Sequence, residues 1–225
     1  MHDYLIHKGQ RNKMVNDLRR LFPFDERVLD AMNVIPRHLF VETALAPFAY
    51  SNKPLRIAAN QTISQPYTVA MQTHLLHLRK WDKVLEIGTG CGYQTAILRT
   101  MGAQVYTIER QKTLYRQAQK NFLALGLDAI FCYGDGYEGK PLLAPFDRII
   151  VTCGAPEIPQ KLVMQLTVGG RLVVPVGSGD QLMTVVERLP DDQCKITTHG
   201  RYRFVPMLEG KDAGASSDHP KQERI

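Results

Sequence analysis

The sequence predicts an α/β fold: a mostly parallel, doubly wound sheet with a helical cap before it and antiparallel strands after it. Three observations carry that prediction. From residue 83 onward, short β-rich runs alternate with amphipathic stretches. A glycine-rich turn follows the first of those runs directly. After Gly179 the period becomes that of strands alone. With 225 residues, 44% of them hydrophobic and 22% charged, the chain is long enough for one sizeable core.

Residues 8–33 read as helical. Met14, Val15, Leu18 and Leu21 recur at helical spacing, and after Pro23 a second set, Val28, Leu29 and Met32, follows the capping candidate Asp25. From Ile35 to Gln65 the pattern breaks under Pro36, Pro47 and Pro54, which predicts a long irregular segment held against the protein. The β-rich runs are Lys83 to Ile87, Gln104 to Ile108, Ala129 to Tyr133, Arg148 to Thr152 and Arg171 to Val176. Between them, Leu114, Ala118, Phe122 and Leu125 share one helical face before Gly126, and Ala96 and Ile97 precede Gly102; each glycine stands where a helix stops. Gln181 to Arg188, Lys195 to His199 and Tyr202 to Val205 are expected to finish the sheet antiparallel. From about Glu209 the chain is nearly free of apolar residues and reads as a disordered tail. The chain thus divides into a cap and covering segment (1–80), a ligand-binding core with its C-terminal strands (81–208) and a tail (209–225).

No window reaches the roughly 18 apolar residues of a membrane helix, and the start Met1-His2-Asp3-Tyr4 is not a signal sequence, so the protein is expected to act in the cytoplasm without membrane contact. Cys91, Cys132, Cys153 and Cys194 lie singly, without the spacing of a zinc site or a disulfide scaffold; they read as reduced thiols, and no metal is expected. A net charge of +6 and a pI near 9.2 raise the question of nucleic acid, but Lys and Arg are scattered, which predicts a solvated basic surface and no specific nucleic-acid partner.

The strongest chemical signal is Val84-Leu85-Glu86-Ile87-Gly88-Thr89-Gly90-Cys91-Gly92-Tyr93, an apolar strand running into a glycine turn and then a helix. Glycines let the backbone pass close to a nucleotide-like ligand. About 20 residues further on, Glu109 ends the next strand, where a carboxylate accepts hydrogen bonds from ribose hydroxyls. A third strand ends in Gly134-Asp135-Gly136, and Asp135 is placed to accept from an adenine amino group. The turn is G-x-G-x-G, not the dinucleotide G-x-G-x-x-G, and it follows the acidic Glu86. S-Adenosylmethionine carries an ammonium and a sulfonium and no phosphate, so that acid favours it over a nicotinamide dinucleotide.

Gln61-Thr62-Ile63-Ser64-Gln65-Pro66-Tyr67-Thr68-Val69-Ala70 resembles the signature that precedes the cofactor domain in protein-L-isoaspartate O-methyltransferases. The resemblance continues through Leu85 to Gln94, Ile108-Glu109-Arg110, Gly134 to Tyr137, Phe146 to Thr152, Gly169 to Gly177 and Arg203-Phe204-Val205-Pro206-Met207, and covers roughly residues 10–208. It implies a Rossmann-like class I methyltransferase whose N-terminal segment and C-terminal strands fold over S-adenosylmethionine. It also implies Ser64 as the active-site residue, with Thr62, Ile63 and Tyr67 near the methyl donor. The cofactor set it implies is Thr62, Ile63, Ser64, Tyr67, Glu86, Gly88, Thr89, Gly90, Glu109, Arg110, Asp135, Gly136 and Thr152. Thr62, Ser64, Gln65, Pro66, Phe204, Val205 and Pro206 would shape the cleft for a damaged peptide or protein containing isoaspartate. A monomer or weak homo-oligomer is expected.

A carboxylate is already ionised at neutral pH and needs no base to attack a methyl group. Ser64 is therefore expected to orient the acceptor. The chain departs from the family pattern before the signature, where Asn52-Lys53-Pro54-Leu55-Arg56-Ile57-Ala58-Ala59-Asn60 stands in place of Asp-x-Pro-Leu-Pro-Ile-Gly-x-Gly, and Arg56 adds a cation close to the expected acidic peptide. This leaves open an enzyme that methylates aspartate in a dedicated peptide, a nucleic-acid methyltransferase and an inactive cofactor-binding homologue. A methyl-transfer assay on matched peptides separates them.

Overall fold

The computed structural model describes residues 3–212. Helix α1 (Leu5–Leu21) turns Met14, Val15 and Leu18 inward. After a short extended link, Asp25 caps α2 (Glu26–Val34) by accepting from the Arg27 amide at 2.9 Å, as the sequence predicts. The irregular stretch contains two 3-10 turns, Arg37–Phe40 and Thr43–Phe48, and a small hairpin in which β1 (Leu55–Arg56) pairs antiparallel with β2 (Thr62–Ile63). Next comes α3 (Pro66–Leu75), which the sequence reading does not separate from the cap. Proline at the first helical position suits its start. Thr68 to Thr73 and Leu75 are all buried, so no polar face marks it as a helix in the sequence.

The Rossmann-like core follows: β3 (Lys83–Ile87), α4 (Tyr93–Thr100), β4 (Gln104–Glu109), α5 (Lys112–Leu125), β5 (Ile130–Tyr133), β6 (Phe146–Val151), α6 (Gln160–Val163), β7 (Leu166–Val176), β8 (Gln181–Arg188) and β9 (Cys194–Tyr202). The seven strands β3 to β9 form one sheet in the order β5-β4-β3-β6-β7-β8-β9. The first five of that order run parallel and β8 and β9 are antiparallel. The pleat sends successive residues to opposite faces. Val84, Ile150 and Val173 join the core beneath the cap helices, α4 and α5, while Leu85, Ile149 and Leu172 join the core on the other face. No helix among the described residues is long and apolar enough to cross a membrane.

Two expectations fail. Tyr202 to Val205 is not a separate strand. Tyr202 ends β9, and the chain beyond it leaves the sheet because its backbone bonds elsewhere: Gly154 N donates to Val205 O and Met207 N to Gly154 O, each at 2.8 Å. The segment from Glu209 is not free of structure either, since Glu209 to Asp212 bond to the end of β4 and its following turn; residues 213–225 lie outside the described residues.

Candidate active site

The carboxyl ends of β3, β4, β5 and β6 open on one crevice, lined by Gly88 and Gly90, Glu109 to Gln111, Gly136, and Thr152 and Cys153. This is where a doubly wound sheet places its ligand. Gln61 and Thr62 close one side and Val205 to Leu208 the other. At Gly88 the backbone takes φ +93, and a Cβ there would stand 2.6 Å from Thr152 Oγ1, so only glycine fits this turn. Thr152 Oγ1 lies 2.6 Å from Gly88 O and 3.0 Å from Ile87 O, which pins the turn to the end of β6.

Glu109 is buried at the crevice wall. Its Oε2 accepts from Gly90 N and its Oε1 from Gln111 N, both at 2.8 Å. Burial raises its pKa against the pull of these amides, and each oxygen keeps a further lone pair for a ligand hydroxyl. Glu86 behaves differently from the expectation. It is fully buried behind the turn, does not line the crevice, and accepts from Thr95 Oγ1 at 2.5 Å. Desolvation pushes its pKa up to about 8, so at neutral pH it carries a proton and cannot repel a pyrophosphate. Asp135 also departs from its expected place. Its two oxygens accept from Tyr137 N at 2.9 Å and Gly210 N at 2.6 Å, and it serves to dock the C-terminal segment rather than to face the crevice. Arg110 lines the crevice, while its guanidinium donates to Gly210 O and Glu209 O.

A second cavity adjoins the first, lined by Thr62, Ser64, Gln65, Tyr67, Thr152 and the stretch Gly200 to Val205. A third, smaller space behind Ser64 is lined by Thr62, Ile63, Ser64, Thr89, Tyr93, Gln94 and Thr152. Thr62 and Thr152 belong to all three, whereas Ser64 faces the second and third. Of the residues expected near the methyl donor, Tyr67 lies on the second cavity only, and Ile63 and Thr89 on the third. Of those expected at the peptide, Phe204 lines the second cavity, Val205 joins first and second, Pro206 lines only the first, and Pro66 is buried at the start of α3 and lines none of them. Arg56 is exposed on β1 and lines none of the three cavities, although its cross-strand partner Thr62 lines all of them.

The sequence reading missed Gln61, Gln111, Leu114, Cys153 and Leu208 on the first cavity and Tyr93 and Gln94 on the third, whereas Met207, expected to shape the cleft together with Phe204 to Pro206, lines the first. Tyr93 and Gln94 stood inside the glycine motif and were passed over as helix start; Gln61 opened the signature. No periodicity points to Leu208, which reaches the crevice only because the chain leaves the sheet after β9. The Cys153 thiol is pushed up to about 12 by burial and offers no nucleophile. Among the described residues, no histidine lines any of the three cavities.

A sequence profile of protein-L-isoaspartate(D-aspartate) O-methyltransferase (PCMT) matches residues 9–212. The chain is 49% identical over 213 residues to a protein-L-isoaspartate O-methyltransferase of Christiangramia forsetii, covering 94% of this chain and 100% of the relative. It is 50% identical, with the same coverage, to one of Flavobacterium johnsoniae. Among solved structures, a protein-L-isoaspartate O-methyltransferase superposes with a TM-score of 0.80 at 29% identity, over 87% of this chain and 65% of that one. Another, from Plasmodium falciparum, provisionally described as a beta-aspartate methyltransferase in complex with S-adenosyl-L-homocysteine, shares the fold with a TM-score of 0.77 at 23% identity, over 88% of this chain and 98% of that one.

Proposed function

Because the chain belongs to the protein-L-isoaspartate(D-aspartate) O-methyltransferase family, we propose that it uses S-adenosylmethionine to methylate the free carboxylate of L-isoaspartyl residues in damaged peptides and proteins, the step that opens their repair. The residues fit the methyl donor. Glu109 offers lone pairs to ribose hydroxyls, and Ile108, Leu114, Met207 and Leu208 give a flat base an apolar slot. In the third cavity the buried Tyr93 hydroxyl, beside the Arg37 guanidinium, and Gln94 Oε1 have no hydrogen-bond partner among the described residues, a donor and an acceptor suited to the carboxylate and ammonium of an amino-acid end. S-Adenosylmethionine, when bound, supplies a methyl group activated by a positively charged sulfur.

The observation that carries the reading is the convergence of the three cavities on Thr62 and Thr152, with Ser64 on the acceptor side. An isoaspartyl carboxylate entering the second cavity is already ionised and needs no base, which agrees with cavities that no histidine among the described residues lines. Ser64 then orients the acceptor by donating its hydroxyl proton to one carboxylate oxygen. The walls exclude water, which strengthens the attraction between acceptor and donor. Selectivity rests on shape: the isoaspartyl linkage diverts the main chain and shortens the arm bearing the carboxylate, so Thr62 to Gln65 and Phe204 and Val205 admit that oxygen in line. A misplacement of about 1 Å costs on the order of a hundredfold.

The test is methyl transfer to matched peptides bearing isoaspartate, aspartate or asparagine at one position. The isoaspartyl peptide is expected to be far the best; comparable rates on the aspartyl peptide would favour the dedicated-peptide enzyme. The reading includes action in the cytoplasm as a monomer or weak homo-oligomer, which sedimentation across a concentration series checks.

A further inference from the structure

We propose that Arg37 is the positioning residue that fixes Ser64 for methyl transfer; the proposal rests on the role given to Ser64 above. Arg37 opens the first 3-10 turn and its side chain has 0% exposure. Its Nε donates to Ala49 O at 2.8 Å and its Nη2 to Ser64 O at 2.7 Å, while its guanidinium carbon stands 4.9 Å from the centre of the Tyr93 ring. One rigid fork thus joins three segments far apart in sequence: the turn ending at Ala49, the acceptor segment at Ser64 and the first residue of α4, just after the glycine turn.

Core packing alone does not account for a guanidinium here. Among the described residues no carboxylate pairs with Arg37 and Nη1 has no hydrogen-bond partner, and burial pulls the pKa down. A buried cation without an acid is unfavourable, and a neutral side chain of similar volume would avoid that cost. What arginine offers is donors on separate nitrogens of one rigid plane, so two carbonyls are held at a fixed separation and direction that the single donor nitrogen of lysine or glutamine does not impose. The bonded carbonyl belongs to Ser64 itself. Downstream, Pro66 has a ring-fixed φ at the start of α3, so Ser64 and Gln65 are held at both ends and the Ser64 side chain has a set direction into the second cavity.

The experiment compares the parent enzyme with Arg37→Lys and Arg37→Gln. Rates on an isoaspartyl peptide are divided by the number of S-adenosylhomocysteine sites counted by titration calorimetry, so that misfolded protein drops out. Each variant is expected to lose about 10- to 100-fold in kcat per site, with a far smaller loss of S-adenosylhomocysteine affinity. Hydrogen exchange of the amides from Ile63 to Thr68 should quicken while those of β3, β4 and β6 stay protected. A kcat per site within about twofold of the parent, with unchanged exchange at residues 63–68, overturns the proposal and leaves Arg37 as a core residue. Exchange needs no acceptor peptide. If the parent fails on the isoaspartyl peptide, that counts against the functional reading, and the exchange result still decides for or against Arg37.

Discussion

Glu109 lines the first cavity and Ser64 the second and third, and under the proposed roles their substitutions should separate cleanly. Glu109→Ala removes the carboxylate proposed to accept from the ribose hydroxyls and strands the amides of Gly90 and Gln111. The S-adenosylhomocysteine Kd, read by calorimetry, is expected to rise about tenfold or more. Ser64→Ala is expected to lower turnover about 10- to 1000-fold with little change in that Kd; unchanged kinetics would make Ser64 a turn residue. Glu86 gives a different readout. Its carboxyl titrates near the ordinary 4.5 when unfolded and near about 8 when folded, so between these values the native state holds the extra proton. Stability must then fall as pH rises through that window and level off above it. Glu86→Gln keeps an acceptor for Thr95 and abolishes the titration, so its Tm relative to the parent should improve as pH rises from about 5 to about 8 and stay level above that. A constant Tm difference would mean that Glu86 is ionised in the fold.

The β1–β2 hairpin shows how a departure from the family pattern is accommodated. Ala59 and Asn60 both take φ +55, Gln61 N donates to Ala58 O, and a turn with two positive φ values favours asparagine followed by glycine. Of the two family glycines absent here, the one at position 60 therefore falls at a left-handed residue, and the one at 58 does not. The double substitution Ala59→Asn with Asn60→Gly is expected to stabilise the protein by about 1 kcal/mol, measured by denaturant midpoint. Elements with a strong period were legible in sequence: β3 and β8 match their expected limits, and α5 ends at Gly126 as read. Helix α3 was hidden because burial on all sides erases amphipathicity. The fate of Phe204 to Leu208 was hidden because it depends on Gly154, distant in sequence, and no local pattern encodes a bond between two loops. The glycine turn and Glu109 were legible because their chemistry is local; the displacement of Glu86 and Asp135 was not, since direction and burial of a side chain are decided by packing.

At the scale of the molecule, the C-terminal segment behaves as a strap. Gly210 N reaches Asp135, Arg110 donates to Glu209 and Gly210, and Lys112 N and Asp212 N exchange bonds with the opposite backbone. Met207 and Leu208 line the crevice immediately before it. A chain ending at Asp212 should keep the parent's Tm and its full stabilisation by S-adenosylhomocysteine. One ending at Leu208 loses the strap's bonds and should release the ligand faster, with a smaller ligand-induced rise in Tm. Equal behaviour of the two truncations in stopped-flow release and thermal melts would show that the strap only rests on the surface.

That the crevice takes its walls from both Gln61 and Leu208 also bears on how the protein is made. Synthesis proceeds from the amino end, so the glycine turn and Glu109 leave the ribosome well before the stretch that faces them. Until Val205 to Leu208 have emerged, one wall of the crevice does not exist, and a ligand meeting the nascent chain finds an open shelf. The sheet from β3 to β8 must then hold together on its own apolar faces, without help from the small molecule it will later enclose. Shortage of the methyl donor would therefore leave translation and initial folding undisturbed and would be felt only by the finished protein.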